Sequence, residues 1–205
     1  MYRYGIAYKP YGVLGTHRRD VLGRQTLASL GIPTHLHPAG RLDLDSEGLL
    51  VLTDDGQTLH RLTHPQFSHA KTYFVLVLGK PDADVLRRLR SGVEIKLGLT
   101  RPADVEILAG PPPLPDFPKP LPSPEKTSWL RMVLHEGMNR QIKRMTAAVG
   151  HPTVRLARVA IGHVTLPSDL GPGQWRNMTS VESTVLISDA WPHGRRSQTR
   201  RVRRT

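Results

Sequence analysis

Three carboxylates, Asp43, Asp45 and Glu47, fall within five residues of one another, and Arg41 stands beside them. Such a cluster can be a solvated acidic turn, a cation site, or a source of acid, base or nucleophile. The cation reading has a spacing behind it, since Asp43, Asp45, Glu47, Gly48 and Asp54 match positions 1, 3, 5, 6 and 12 of a calcium loop. It fails on context. Pro38 and Gly40 break the helix that would have to enter the loop, Asp54 replaces the bidentate glutamate, and Arg41 would oppose a cation. The chemical reading needs a carboxylate held ionised, and a nearby positive charge lowers an aspartate pKa by roughly 1–3 units.

The element that carries this cluster is short and apolar. Leu49 to Leu52, bounded by Gly48 and by Thr53-Asp54-Asp55-Gly56, reads as a buried strand closed by a turn. A charged loop seated on a rigid element is where binding and catalytic groups tend to sit. Asp45 and Ser46 are expected to shape the loop through local side-chain to backbone hydrogen bonds. Upstream, residues 3–8 alternate and run into Lys9-Pro10-Tyr11-Gly12, a strand followed by a turn, and 26–30 can form a short helix. Residues 70–78 form the strongest strand pattern. They are apolar on both faces and so central, with Lys71 and Tyr73 on one face.

Residues 82–90 read as a helix capped by Asp82 or Asp84 and ended by Gly92, followed by strands at 93–97 and 102–108. Residues 110–126 hold eight prolines in seventeen positions and can be only an extended surface insertion. A strand at 129–135 leads into a helix over 139–149. Ile142, Met145, Ala148 and Val149 are its buried stripe, with Arg140, Lys143, Arg144 and Ala147 on the other side. Strand material at 153–166, broken by Gly162, precedes a last short helix that Thr179 and Glu182 open with a capping box and that runs to Ile187.

Composition narrows the partners. A net charge of +12 over 205 residues favours a polyanion, nucleic acid or an anionic surface. Six arginines crowd into the last eleven residues, and about +6 remains without them. The chain has no cysteine, which rules out disulfides, thiolate chemistry and cysteine zinc sites, and no apolar run of membrane-spanning length. His35 with His37, and His60 with His64, lack further ligands at metal-binding spacing. No glycine-rich nucleotide loop is present, so no metal and no cofactor is expected.

The stretch GRLDLDSEGLLVLTDDG resembles the signature of the RNA pseudouridine synthases, in the branch that modifies ribosomal RNA. Three further motifs follow in the family's order: the Lys71-Thr72-Tyr73 unit, EGMNRQIKRM at 136–145, and the closing Gly-Gln-Trp-Arg turn at 173–176. The resemblance, covering residues 3–187, implies an α+β fold with a mixed, mostly antiparallel central sheet, flanking helices and an active-site cleft across the sheet. It implies Asp43 as the catalytic carboxylate, Tyr73 as the ring that packs on the target base, and Lys143 as the cation paired with Asp43. Ile142 becomes a wall of the base pocket. Lys71, Arg140 and Arg144 become RNA contacts, and Arg41 a filler of the vacated helix or a phosphate ligand, in place of a plain ion pair with Asp45 or Glu47. Tyr8 stands where the family has asparagine. The resemblance further implies one catalytic domain over 1–188 and no N-terminal S4-type RNA-binding module, while composition points to a basic disordered tail over 189–205. The expected partner is ribosomal RNA, 23S rRNA above all, acted on by a cytoplasmic monomer without membrane attachment. Two other classes remain at this point: a non-catalytic ribosome-assembly protein, and a glycosidase pairing Asp43 with Asp45 or Glu47.

Overall fold

The computed structural model describes residues 2–192. Alternating apolar stretches become the strands β1 (Tyr4–Lys9), β2 (His37–Pro38), β3 (Glu47–Thr53), β4 (Lys71–Leu78), β7 (Asp104–Ile107), β8 (Thr127–Leu134), β9 (Thr153–Ile161), β10 (Val164–Thr165) and β11 (Trp175–Asn177). They form one sheet in the order β11-β1-β3-β9-β4-β8-β7, antiparallel except where β3 meets β9. A separate hairpin joins β5 (Glu94–Ile95) to β6 (Gly98–Leu99). The helices are α1 (Gly56–Thr63), α2 (Ala83–Ser91), α3 (Gln141–Ala148) and α4 (Ser180–Ala190). The expected α+β class and its mostly antiparallel sheet are what the chain adopts.

Each half of the sheet has its own core. Val75, Val77, Leu130, Met132 and Met145 pack under α2 and α3. Ile6, Leu49, Val51, Leu62 and Leu186 pack under α1 and α4. The two halves of the sheet are paired through a short parallel contact, Glu47–Ala157 and Gly48–Arg158. Gly48 is what allows that meeting. Its φ is +102°, and a Cβ there would run into the backbone carbonyl of Arg158.

Several local expectations are corrected. The 49–52 strand extends to 47–53, because Glu47 is drawn into the sheet and buried instead of staying in the loop. The 93–97 strand is only the first arm of a hairpin, since Gly98 at φ +107° begins the return arm. In α3, Ala148 is exposed, while Gln141 and Thr146 are buried with Ile142 and Met145. The last helix reaches Ala190, which is buried, and Trp191 lies against Arg61, so the disordered tail does not begin at 189. The arginine-rich stretch expected at 195–204 lies outside the described residues.

The 110–126 insertion is strapped to the sheet. Arg155 donates from Nη2 to the Pro115 carbonyl at 2.7 Å and lies over the Phe117 ring, and Phe117 meets Tyr11 edge-on at 5.0 Å.

Gly48→Ala is expected to destabilise the fold by on the order of 3 kcal/mol, through the positive φ and the clash together. Urea unfolding measures it, and a loss below about 1 kcal/mol would mean that β3 and β9 can move apart freely.

Candidate active site

The residues that the sequence singled out converge on a cleft of about 350 Å³ that opens where the two half-sheets join. Arg41, Asp43, Lys71, Tyr73, Arg140 and Ile142 all line it. Lys143 and Arg144 do not, and Arg144 turns one guanidinium nitrogen to Asn139 at 3.2 Å.

The loop from Asp43 to Ser46 is held by its carbonyls. Ser46 N–H donates to Asp43 O, and Gly12 N–H donates to Leu44 O at 2.8 Å. Lys143 Nζ donates to Asp45 O at 2.8 Å, and Lys9 Nζ donates to Ser46 O at 2.7 Å. The turn after β1, the helix α3 and the loop itself thus all fix one short segment. The expected side-chain bonds from Asp45 and Ser46 to local backbone are absent among the described residues. Asp45 points its carboxylate outward to α3, and Ser46 Oγ is buried without a partner.

The expected Lys143–Asp43 ion pair is not the one formed. Lys143 Nζ sits 2.6 Å from Asp45 Oδ1, and Arg140 grips the same carboxylate with two bonds of 2.9 and 2.8 Å. The segment is a turn closed by the Ser46 N–H to Asp43 O bond, with Leu44 and Asp45 at its tip, so Asp45 reaches α3 while Asp43 stays on the cleft. Partial burial opposes the Asp45 charge, but the bonds from Arg140 and Lys143 outweigh it and hold its pKa at about 2. Arg41 makes no ion pair with Asp45 or Glu47 among the described residues. It is exposed, and Glu47 is buried against Arg155 at 2.6 Å. Neither Asp45 nor Glu47 is therefore free to act as the second carboxylate of a glycosidase pair.

Of the acids that line the cleft, Glu136 accepts from Gln141 Nε2. The Asp43 carboxylate accepts no hydrogen bond and forms no ion pair among the described residues. The charges of Lys9 and Arg140 nevertheless act on it. It is a half-buried acid left open to a ligand, on a loop held at four consecutive carbonyls.

Two basic residues at this site escaped the sequence reading. Lys9 is fully buried beneath the loop, and burial brings its pKa down to about 8 against the opposing pull of Glu47, Asp43 and Asp45. Arg158, 2 % exposed, lines the cleft from β9. Its Nε donates to Leu49 O at 3.0 Å and its Nη2 to Gly40 O at 2.9 Å. A register shift in the β4–β9 pairing between Thr72 and Tyr73 sets Tyr73 opposite Arg158. The signal in the sequence was two arginines, Arg155 and Arg158, inside an otherwise apolar strand. Arginine is rarely buried without a specific partner. Tyr8, in place of the family's asparagine, buries its ring, and its hydroxyl lies beside the Glu47–Arg155 pair.

Fold and cleft together define an α+β enzyme that presents one free acid and one aromatic ring among cations. The chain belongs to the RNA pseudouridylate synthase family, whose model matches residues 3–148. It is 50% identical over 171 residues to a protein of Xanthomonas campestris pv. campestris named ribosomal large subunit pseudouridine synthase E, covering 82% of this chain and 91% of that one. A protein of the same name from Xanthomonas axonopodis pv. citri is 47% identical over 94% of this chain and 97% of its own length. A crystal structure of a pseudouridylate synthase superposes with a TM-score of 0.76 at 31% identity, over 91% of this chain and 74% of that one. No helix among the described residues is long and apolar enough to cross a membrane.

Lys71 should make RNA binding pH-dependent. Burial, with the Arg158 charge beside it, lowers the Lys71 pKa to about 8, so its charge is lost as the pH rises through 8. RNA affinity is expected to fall by roughly tenfold between pH 7 and 9, the worth of one charge-assisted hydrogen bond. Lys71→Met should be weak throughout and lack that step. The same step in both proteins, followed by fluorescence anisotropy, would take Lys71 out of the interface.

Proposed function

We propose that this protein converts a uridine of large-subunit ribosomal RNA to pseudouridine. The observation that carries the reading is the Asp43 carboxylate, unengaged in the cleft while its two acidic neighbours are neutralised. The names of the Xanthomonas relatives support the large subunit as the source of the substrate. An rRNA substrate puts the enzyme in the cytoplasm, and a single chain supplies every group, which supports a monomer.

The reaction is an isomerisation. The C1′–N1 bond breaks with its electron pair leaving on uracil, the base turns, and C1′ bonds to C5, whose proton is released as one returns to N1. No redox partner or energy-rich cosubstrate is needed. Asp43 serves by bonding to C1′ or by taking the 2′ proton, and both uses require a carboxylate held against the sugar. Tyr73, half-exposed on β4, stacks on the uracil and keeps it in the cleft while it turns. Ile142, 4 % exposed, forms an apolar wall. The target must leave its helix to enter, at a cost of a few kcal/mol, and the exposed Arg41 is placed to hold a phosphate or fill the gap. Lys143 serves indirectly, by pinning Asp45 and with it the loop.

Asp43→Asn is expected to retain the fold and RNA affinity but yield no pseudouridine from unmodified rRNA, read by mass spectrometry of digested nucleosides. Detectable turnover would end the catalytic assignment of Asp43. Lys143→Met is expected to lower the single-turnover rate by about 10²-fold through misplacement of the loop, with RNA affinity little changed. A rate within twofold of the parent would show that Arg140 alone suffices.

A further inference from the structure

Four cationic side chains line the cleft, and they are not equivalent. Arg41 faces solvent, where its field is screened. Arg140 is bound to Asp45 by two bonds. Lys71 donates to the His69 carbonyl at 3.1 Å. Arg158 is different: fully buried, it donates to the carbonyls of Leu49 and Gly40 and lies within reach of the Tyr73 hydroxyl, and it forms no ion pair with any carboxylate among the described residues. Burying an uncompensated charge is costly, and a protein interior tolerates one where hydrogen bonds hold it. Two neutral acceptors fix the guanidinium without cancelling its charge. The Tyr73 hydroxyl is near enough to act on it, and Gly40, Asp43 and Tyr73 line the same cleft.

We propose that Arg158 is a catalytic residue: from the strand position opposite Tyr73, its fixed and uncancelled charge stabilises the negative charge that uracil acquires as the C1′–N1 bond breaks. This rests on the pseudouridine-forming reading above. The electron pair of that bond passes to the base whether Asp43 bonds to C1′ or removes the 2′ proton, so either route gains from a cation aimed at the pyrimidine. A preorganised donor in a dry site is most effective at that point, because it need not reorganise as the charge appears. The β9 strand places this charge where the half-sheets join, opposite the ring that holds the base.

The test uses a better leaving group. Fluorine at C5 withdraws electron density, so 5-fluorouracil departs as an anion with less help. Unmodified large-subunit rRNA is transcribed with uridine or with 5-fluorouridine, and single-turnover glycosidic cleavage is read as rearranged nucleoside for the parent protein, Arg158→Gln and Arg158→Lys. Arg158→Gln is expected to lose about 10²-fold or more on uridine. On 5-fluorouridine its loss should be smaller by roughly tenfold, with Arg158→Lys between it and the parent. Both substrates are read with one preparation, so the ratio does not depend on how much of a variant folds. Equal losses on the two substrates would make Arg158 a positioning residue and overturn the proposal, as would unimpaired cleavage. If the parent protein forms no pseudouridine from uridine-containing rRNA, the underlying functional reading falls with it. A parent that does so while the variants lose equally on both substrates overturns this inference alone.

Discussion

Four consecutive backbone carbonyls, from Asp43 to Ser46, each accept a hydrogen bond from a different donor: Ser46, Gly12, Lys143 and Lys9. A loop of four residues has few ways of satisfying its own polar backbone, and here the donors come from the turn after β1 and from α3 as well as from the loop. The consequence is a segment with no freedom to drift. That lets the Asp43 carboxylate remain without a protein partner and still keep its position. An acid meant to react with a sugar gains from such an arrangement, since a salt bridge of its own would have to be broken first.

The price of this rigidity is buried charge. Lys9, Glu47, Arg155 and Arg158 are all withdrawn from water around the junction of the half-sheets. Each has specific partners: Ser46 and Pro10 carbonyls for Lys9, Glu47 and the Pro115 carbonyl for Arg155, and Leu49 and Gly40 carbonyls for Arg158. Breaking any one of these would strand a charge in a low dielectric, at a cost of several kcal/mol, roughly 3–5 for a buried pair. It also explains the proline-rich insertion in physical terms. The segment closes over Arg155 with a carbonyl and an aromatic face, and so belongs to the support of the loop that Glu47 ends.

Much of this was legible in the sequence, for reasons that are local. The period of apolar residues in 70–78 fixed a central strand, and Asp82 with Gly92 fixed both ends of α2, where Asp82 caps Val85 N–H as expected. The Thr179–Glu182 capping box is formed. The motif around Asp43 marked the cleft through its resemblance to a family signature, since the residues alone left three readings open. Where the reading failed, the deciding forces were long-range. Lys143 was assigned to Asp43 by analogy of motif, but the turn at Leu44-Asp45 carries Asp45 to that lysine instead. Ala148 was placed in the core by helical periodicity, yet no described residue covers that face of α3 tightly enough to bury it.

The sequence by itself determined the class of fold through its resemblance to a known family, and its residue types and charge marked Asp43 and Tyr73 as candidates for one site and a polyanion as the partner. Only the tertiary structure decided which cation serves which acid and which buried charge is left uncancelled. Those depend on the shift in the β4–β9 register and on the narrow β3–β9 junction that Gly48 permits. Strand partners about a hundred residues apart leave no periodic trace in the chain. Arg158 shows the difference most clearly: in sequence it is one of two arginines in an apolar strand, and in space it pairs across the strands with Tyr73 and lines the same cleft as Asp43.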